Sequence, residues 1–405
     1  MFFKPVIFGG YVNGYSLART FKETYGINSI ICDHSINIAY FSKFTDYRLI
    51  HDPKNNEIQF IEDVRKIGLF VRESGEIPIL LVTNDIWLIP LSKLRNDLEE
   101  IFMFTFSDCR TIDELANKNK LYALCDKIGV DYPKTFVYCN QNKNLDRLVP
   151  PIIIKPSNVP DFISFFPNIK PNGLFANIES AIDYLENLYS KGFNGRMIIQ
   201  EYIPGGVENL YTCTSYSTKK GIVKGISIGC KLSQYPEEAG TITSGLIKYK
   251  SEVERITKKI LEHKKFFGIA NTEFKYDERD DSYKLIEVNA RPGMWNYSSL
   301  LSGVNLIEKM VDDLIFDKNI TSSKGEKQLI WTRVSNKEIL KHVKSNENFK
   351  MVKSLIIKGE VYDPLSNPQE NLRFKIRVRI LNLKLYSLNH IISGLRTGFS
   401  IDKSY

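Results

Sequence analysis

The chain has 405 residues, of which 43% are apolar, 25% charged and 12% aromatic. That balance suits a folded protein of two or three domains and excludes disordered, collagen-like and coiled-coil classes. Its six cysteines (Cys32, Cys109, Cys125, Cys139, Cys213, Cys230) stand at least 14 residues apart, so no CxxC zinc or redox pair exists and reduced thiols are expected. The net charge of +8 is uneven: residues 318–405 hold 17 Lys and Arg against 7 Asp and Glu, leaving residues 1–317 at −2. Such a surplus either attracts anionic partners, such as nucleotide-sugar phosphates, lipid headgroups or nucleic acid, or is a solvated face. No charged-then-apolar leader opens the chain, and its most apolar stretch, Ile77 to Leu91, is broken by Asn84 and Asp85. Neither a signal peptide nor a membrane span is expected, and the expected compartment is the cytoplasm.

In chain order, Val6-Ile7-Phe8, the turn Gly9-Gly10, a helix near Asn13 to Tyr25 and Ile30 to Asp33 read as a βαβ opening. A strand at Ile79 to Val82 and a helical stretch near Ile86 to Leu98 extend it into a parallel sheet covered by helices, through about residue 110. The full GxGxxG fingerprint is missing, so NAD is not expected. A helix containing Leu121, Leu124 and Ile128 then runs into Pro133, beyond which strands and helices alternate in an α+β manner. Asn177 to Tyr189 is an amphipathic helix, and Ser251 to Phe266 is another, with Ser251-x-x-Glu254 as its capping box. Ser322, Ser323 and Gly325 mark a linker into the basic C-terminal part, where Phe374 to Leu388 alternates like a strand.

Three stretches can carry chemistry. Asn271 to Tyr276, a polar turn through Asp277 to Asp281, and Lys284 to Gly293 read as a β-hairpin in which Glu273 faces Glu287 and Asn271 faces Asn289. Alternation puts Asn271, Glu273, Glu287, Asn289 and Arg291 on one face, and Phe274, Tyr276, Ile286 and Val288 on the other. Two carboxylates across a ladder repel unless a proton or a cation lies between them. With an amide and phosphate oxygens they make a hard-oxygen shell suited to Mg²⁺; with Lys275 and Arg291 they make a plain salt-bridge cluster. Lys155 ends the apolar strand Pro151 to Ile154 and needs an anionic partner, either phosphate or a carboxylate. The strand Met197 to Glu201 runs into Tyr202-Ile203-Pro204-Gly205-Gly206, whose backbone can face an adenine edge, and Glu208 follows where it can accept ribose hydroxyls.

In this order and spacing, residues 113–315 resemble the ATP-grasp superfamily of carboxylate–amine ligases. The resemblance implies an N-terminal Rossmann-like α/β domain (1–112), an α+β two-lobed ATP-grasp domain (113–316) with a mobile lid at about 130–205, and a basic C-terminal region (317–405). It assigns the nucleotide lysines to Lys118 and Lys155, the hinge to Glu201, Tyr202 and Ile203, and the ribose acid to Glu208. The metal ligands become Glu273, Glu287 and Asn289, for Mg²⁺ or Mn²⁺, and Arg291 becomes the phosphate-stabilising arginine. Within the superfamily the chain is most similar to D-aspartate ligases of peptidoglycan precursor synthesis, through Gly14 to Phe21, Asp131 to Thr135, Ile199 to Gly205, and Gly268 to Asn271. The glycine-rich flap that many members carry after the second lysine is replaced by Ser157 to Phe162. The implied reaction uses ATP to activate an amino-acid carboxylate as an acyl phosphate, which an amine of an anionic acceptor then displaces. A surface-polysaccharide uronic acid or a second small amino acid are alternative substrates, and bicarbonate carboxylation is a third reading. A non-catalytic nucleotide-binding protein is the alternative of another class. No nucleic-acid partner is implied, and the basic tail is compatible with association at the inner membrane surface. Gly225-Ile-Ser227-Ile-Gly229 matches the GxSxG pattern of hydrolases, but no helix follows the serine. The five histidines (34, 51, 263, 342, 390) show no metal spacing.

Overall fold

A computed structural model describes residues 2–139, 149–157, 159–167, 169, 173–235 and 240–382. The first sheet contains β1 (Phe3–Phe8), β2 (Ser29–Asp33), β3 (Thr45–Leu49), β4 (Ile77–Val82) and β5 (Met103–Phe104), ordered β3-β2-β1-β4-β5 with every neighbouring pair parallel. Helices α1 (Val12–Tyr25), α2 (Glu57–Glu73), α3 (Asp85–Lys93) and α4 (Arg95–Leu98) accompany it. Burial on both faces explains why Val6 to Phe8 of β1 and Ile79 to Val82 of β4 read as unbroken apolar runs. Gly9 turns the chain out of β1 with φ +100°, and a Cβ there would lie 2.0 Å from Thr83 Oγ1 at the end of β4. Strand order reverses between β1 and β4, so Gly9-Gly10 and Thr83-Asn84-Asp85 border the crevice where open α/β sheets bind ligands. Asn84 caps α3 by accepting from Trp87 N, and Asp85 occupies the favourable first turn.

After α5 (Cys109–Ala116) and α6 (Lys118–Ile128) comes a small antiparallel sheet of β6 (Thr135–Tyr138), β7 (Ile152–Pro156), β8 (Gly173–Phe175) and β9 (Met197–Glu201), ordered β6-β9-β7-β8. Helices α7 (Val159–Phe165) and α8 (Ile178–Ser190) accompany it; Ile152, Ile154, Leu185, Leu188 and Phe193 share one apolar cluster. The sequence expectation for α8 holds, with Leu185 buried and Ile178 and Ile182 packed on that cluster. Ser157 to Phe162, where a glycine-rich flap was looked for, lies partly outside the described residues, as does part of the expected lid.

The third sheet begins with β10 (Leu210–Ser217), β11 (Val223–Tyr235) and β12 (Thr241–Ile247); α9 (Ser251–His263) packs on it, and β13 (Gly268–Asp277) and β14 (Ser282–Asn289) form the hairpin read from the sequence. The capping box does not form: Lys250 is the N-cap residue without a side-chain bond, and Glu254 instead accepts from Tyr249 Oη and Lys258 Nζ. Helices α10 (Tyr297–Leu301) and α11 (Leu306–Leu314) follow. The stretch expected as a linker contributes β15 (Ser323–Lys324), which pairs with β11, and β16 (Ile330–Thr332) then joins β12. Helices α12 (Asn336–His342) and α13 (Asn346–Ile357) precede β17 (Val361–Tyr362), which pairs with β16. The strand expected from Phe374 onward is instead helical over 372–382 (α14), and 383–388 fall outside the described residues. Burial decides against the strand, because Phe374, Val378 and Leu381 pack on the core at helical spacing. One apolar cluster runs through both the first and third sheets, from Val6 and Leu80 through Phe106 to Cys213, Ile228 and Phe274.

Candidate active site

The hairpin supplies the acids. Asn271 pairs with Asn289 and Glu273 with Glu287, as the spacing predicts, but a bulge after Glu273 shifts the register so that Phe274 pairs with Leu285. Leu285, fully buried, therefore takes the core place assigned from alternation to Ile286, which is only half-buried. The salt-bridge alternative also fails in its named partners. Lys275 donates to Gly205 O and Gly206 O at 2.8 and 2.7 Å, while Arg291 turns to Asp85.

The two glutamates instead receive lysines from other elements. Lys118 Nζ, at the start of α6, lies 3.4 Å from Glu287 Oε2, and Lys231 Nζ, on β11, lies 3.1 Å from Glu273 Oε2. Asn289 Nδ2 donates to Glu287 Oε1 at 3.1 Å and Asn271 Nδ2 to Glu273 Oε1 at 3.4 Å. Burial pushes the Glu287 carboxyl up, but Lys118, the Asn289 bond, Lys155 and Lys231 outweigh it and hold the group well below the usual carboxylate range. Lys155 reaches the same place from β7 and donates to Gln200 Oε1 at 2.8 Å. Desolvation, aided by Lys118 and opposed by Glu287, brings its pKa down to about 7. Gln200 is fixed in turn by donating to Tyr122 Oη and Thr135 Oγ1.

Arg291 links this face to the first sheet. Its Nε and Nη2 donate to Asp85 Oδ1 and Oδ2 at 2.9 and 3.0 Å, a bidentate pair, and Nη2 also donates to Asn289 Oδ1 at 3.2 Å. The acids thus face a cleft whose walls are the third sheet, the small sheet and the switch point of the first sheet. Glu273, Glu287 and Asn289 offer two carboxylates and an amide oxygen, donors that fit a hard divalent cation only with phosphate or water oxygens added. Among the described residues no group of three or more His, Cys, Asp and Glu could hold a metal by itself.

No family model matches the chain. It is 26% identical over 370 residues to a D-aspartate ligase of Enterococcus faecium, covering 87% of this chain and 88% of that one. Among solved structures it is similar to the N5-carboxyaminoimidazole synthetase of Staphylococcus aureus complexed with ADP, with a TM-score of 0.59 and 11% identity over 82% of each chain. It is also similar to the L-amino acid ligase of Bacillus licheniformis, with a TM-score of 0.55 and 16% identity over 78% of this chain and 75% of that one. The chain has the ATP-grasp fold and is similar to carboxylate–amine ligases of that fold.

The stretch expected as a hinge follows β9. Gly205 turns it with φ +98°, and a Cβ there would meet Asn209 Nδ2 at 2.3 Å. Both oxygens of Glu201 are engaged, Oε1 by Lys134 N at 2.8 Å and Oε2 by Arg279 Nη2 at 3.2 Å. Tyr202 N donates to Pro151 O, and Ile203 is buried beside it. Glu208 is not brought to the acid face. Its oxygens accept from Lys344 N, Ser345 N and Asn348 Nδ2, ahead of and within α13, and it lines a separate 560 Å³ cavity with Tyr211, Lys248 and Tyr283. Sequence order and the resemblance placed it near a ribose, but in the short helical turn Val207–Asn209 it is held by residues around the start of α13.

Lys231, Gln200 and Asp85 were missed. The signal for Lys231 was present: Ser227, Gly229, Lys231 and Ser233 alternate with Ile226, Ile228, Cys230 and Leu232 along β11. Gln200 and Asp85 carry no local signal, since Asp85 meets an arginine 206 residues away. The hydrolase pattern dissolves in the same strand. Ser227 pairs with Thr214 and shares a bond with the Ser302 hydroxyl, while a Cβ at Gly229 would lie 2.2 Å from Trp295. All six cysteines are free, and among the described residues no helix is long and apolar enough to cross a membrane.

Proposed function

We propose that this ATP-grasp ligase activates an amino-acid carboxylate, D-aspartate as the leading candidate, as an acyl phosphate and joins it to an amine of a peptidoglycan precursor. The observation that carries the substrate is the similarity to a D-aspartate ligase over seven-eighths of both chains. The cleft supports the chemistry: three lysines approach two carboxylates, an arrangement suited to a polyphosphate.

Lys118, Lys155 and Lys231 would turn from Glu287, Gln200 and Glu273 toward the phosphates. Their charge offsets what accumulates on the phosphoryl in flight, and the protein dipoles around them need no reorganisation. A divalent cation held by Glu273, Glu287 and Asn289 would supply charge neutralisation and orient the phosphates. Arg291, steadied by Asp85, would steady the acyl phosphate and the leaving oxygen. Tyr202 and Ile203 would offer backbone to adenine beside Glu201. Glu208 could accept ribose hydroxyls only by giving up Lys344 N, Ser345 N and Asn348. The small sheet, as part of a lid over about 130–205, would exclude water from the acyl phosphate. The basic region beyond residue 317 would draw an anionic acceptor, and the inner membrane surface is a second anionic partner for it.

The test is ADP release with Mg²⁺-ATP and hydroxylamine across L- and D-amino acids, because hydroxylamine traps an acyl phosphate as a hydroxamate. Hydroxamate with D-aspartate alone is expected. None with any amino acid, despite ATP binding, would move the substrate to another carboxylate such as a uronic acid.

A further inference from the structure

Helix α14 has two apolar faces. Phe374, Val378 and Leu381 point into the protein, with Phe374 fully buried and stacked on Tyr15 at 4.5 Å between ring centroids. On the opposite face Leu372, Ile376 and Ile380 follow at i, i+4 and i+8 and are 72%, 47% and 38% exposed. A helix that buries one apolar stripe and displays a second is not explained by packing against its own domain.

The displayed stripe is bordered by cations on both sides. Arg373 and Arg377 lie along one edge, stacked over Tyr40 and Phe41 at 4.5 to 5.0 Å, which fixes their direction without neutralising them. Lys375 and Arg379 lie along the other edge; Lys375 donates to a backbone carbonyl, Pro368 O. Among the described residues none of the four pairs with a carboxylate. The two acids that precede α14 in sequence are already engaged, Glu370 with Ser42 and Lys43 N, and Asp363 with Arg333. The surrounding region, 318–405, carries the whole of the chain's positive surplus.

We propose that α14 docks this protein on an anionic lipid bilayer, with Leu372, Ile376 and Ile380 entering the acyl boundary and Lys375, Arg379, Arg373 and Arg377 meeting lipid phosphates. The alternation of apolar stripe and basic flanks is what the headgroup boundary selects. A nucleic-acid surface would use the cations but leave the stripe in water. The docking does not depend on the substrate reading, since it is scored without turnover.

The experiment is co-sedimentation of the full-length protein with vesicles of equal parts phosphatidylglycerol and phosphatidylcholine, and with phosphatidylcholine alone. Binding to the anionic vesicles that weakens with salt is expected, with little on the neutral ones. Leu372→Ser, Ile376→Ser and Ile380→Ser together should weaken binding about tenfold. Lys375→Glu with Arg379→Glu should weaken it comparably and remove much of the salt dependence. Both variants should melt as the wild type does, and the triple serine variant should release ADP at the wild-type rate. Wild-type protein staying in solution with anionic vesicles would overturn the proposal. So would a triple serine variant that sediments like the wild type, since charge alone would then be binding.

Discussion

The small sheet and the first sheet both border the cleft, but they are attached to the third sheet differently. The small sheet closes its own core around Ile152, Ile154, Phe162, Leu185 and Met197 and reaches the rest of the cleft through polar contacts such as Gln200 to Tyr122 and Arg279 to Glu201. The first sheet shares one continuous apolar cluster with the third, and Phe106 even bridges to Gly268. Polar contacts can be exchanged for water at little net cost, whereas a shared core cannot be opened without exposing it. The difference fits a molecule whose Lys155 moves with a lid while Arg291 and Asp85 stay fixed.

Four measurements would sharpen or break that contrast. The largest effect is expected at Glu287, the acid approached by cations from both sides of the cleft: Glu287→Gln should lower ATP turnover by about 10³-fold. Turnover left intact would mean the cleft is not the nucleotide site. Next, Leu185→Ala should cost about 2–5 kcal/mol, confined to the small sheet. Hydrogen exchange should then show protection lost there and kept in β1 and β4; uniform loss would show that the cores are one.

Asp85→Asn comes third. It leaves Arg291 a weaker, uncharged partner, so kcat should fall about tenfold while KM for ATP stays near wild type, because the fixed side positions the arginine rather than binding the nucleotide. A rise in KM alone would give Asp85 a different role. The last reads the small-sheet side by pH. Lys155 has its pKa lowered to about 7, so above that pH it is neutral in the free enzyme, while phosphate favours its charged form. Binding ATP between that value and the ordinary lysine range should therefore take up a proton, and affinity should fall about tenfold per pH unit. Calorimetry in buffers of different ionisation enthalpy measures the uptake, which should vanish in Lys155→Met.

The chemical residues were legible where their neighbours in sequence are also their neighbours in space. A hairpin is such a place: the spacing across the turn at Asp277 to Asp281 placed Glu273 opposite Glu287 and Asn271 opposite Asn289. The opening β1, α1 and β2 were legible for the same reason, through the glycine turn and the apolar runs. The bulge that moved Ile286 off the core, the absent cap at Ser251 and the helix in place of a strand beyond Leu372 were not. Each is a local preference overruled by what the segment packs against.

The sequence by itself determined the α/β opening, the polar face of the hairpin and the kind of chemistry that face can hold, because periodicity and charge are properties of the chain. Only the tertiary structure decided which charges meet. It brought Lys231 to Glu273 and Asp85 to Arg291, and it carried Glu208 away to α13. It also turned one side of α14 inward and left the other bare. Side chains far apart in sequence are paired by the burial of the sheets between them, and no pattern within a short window records that.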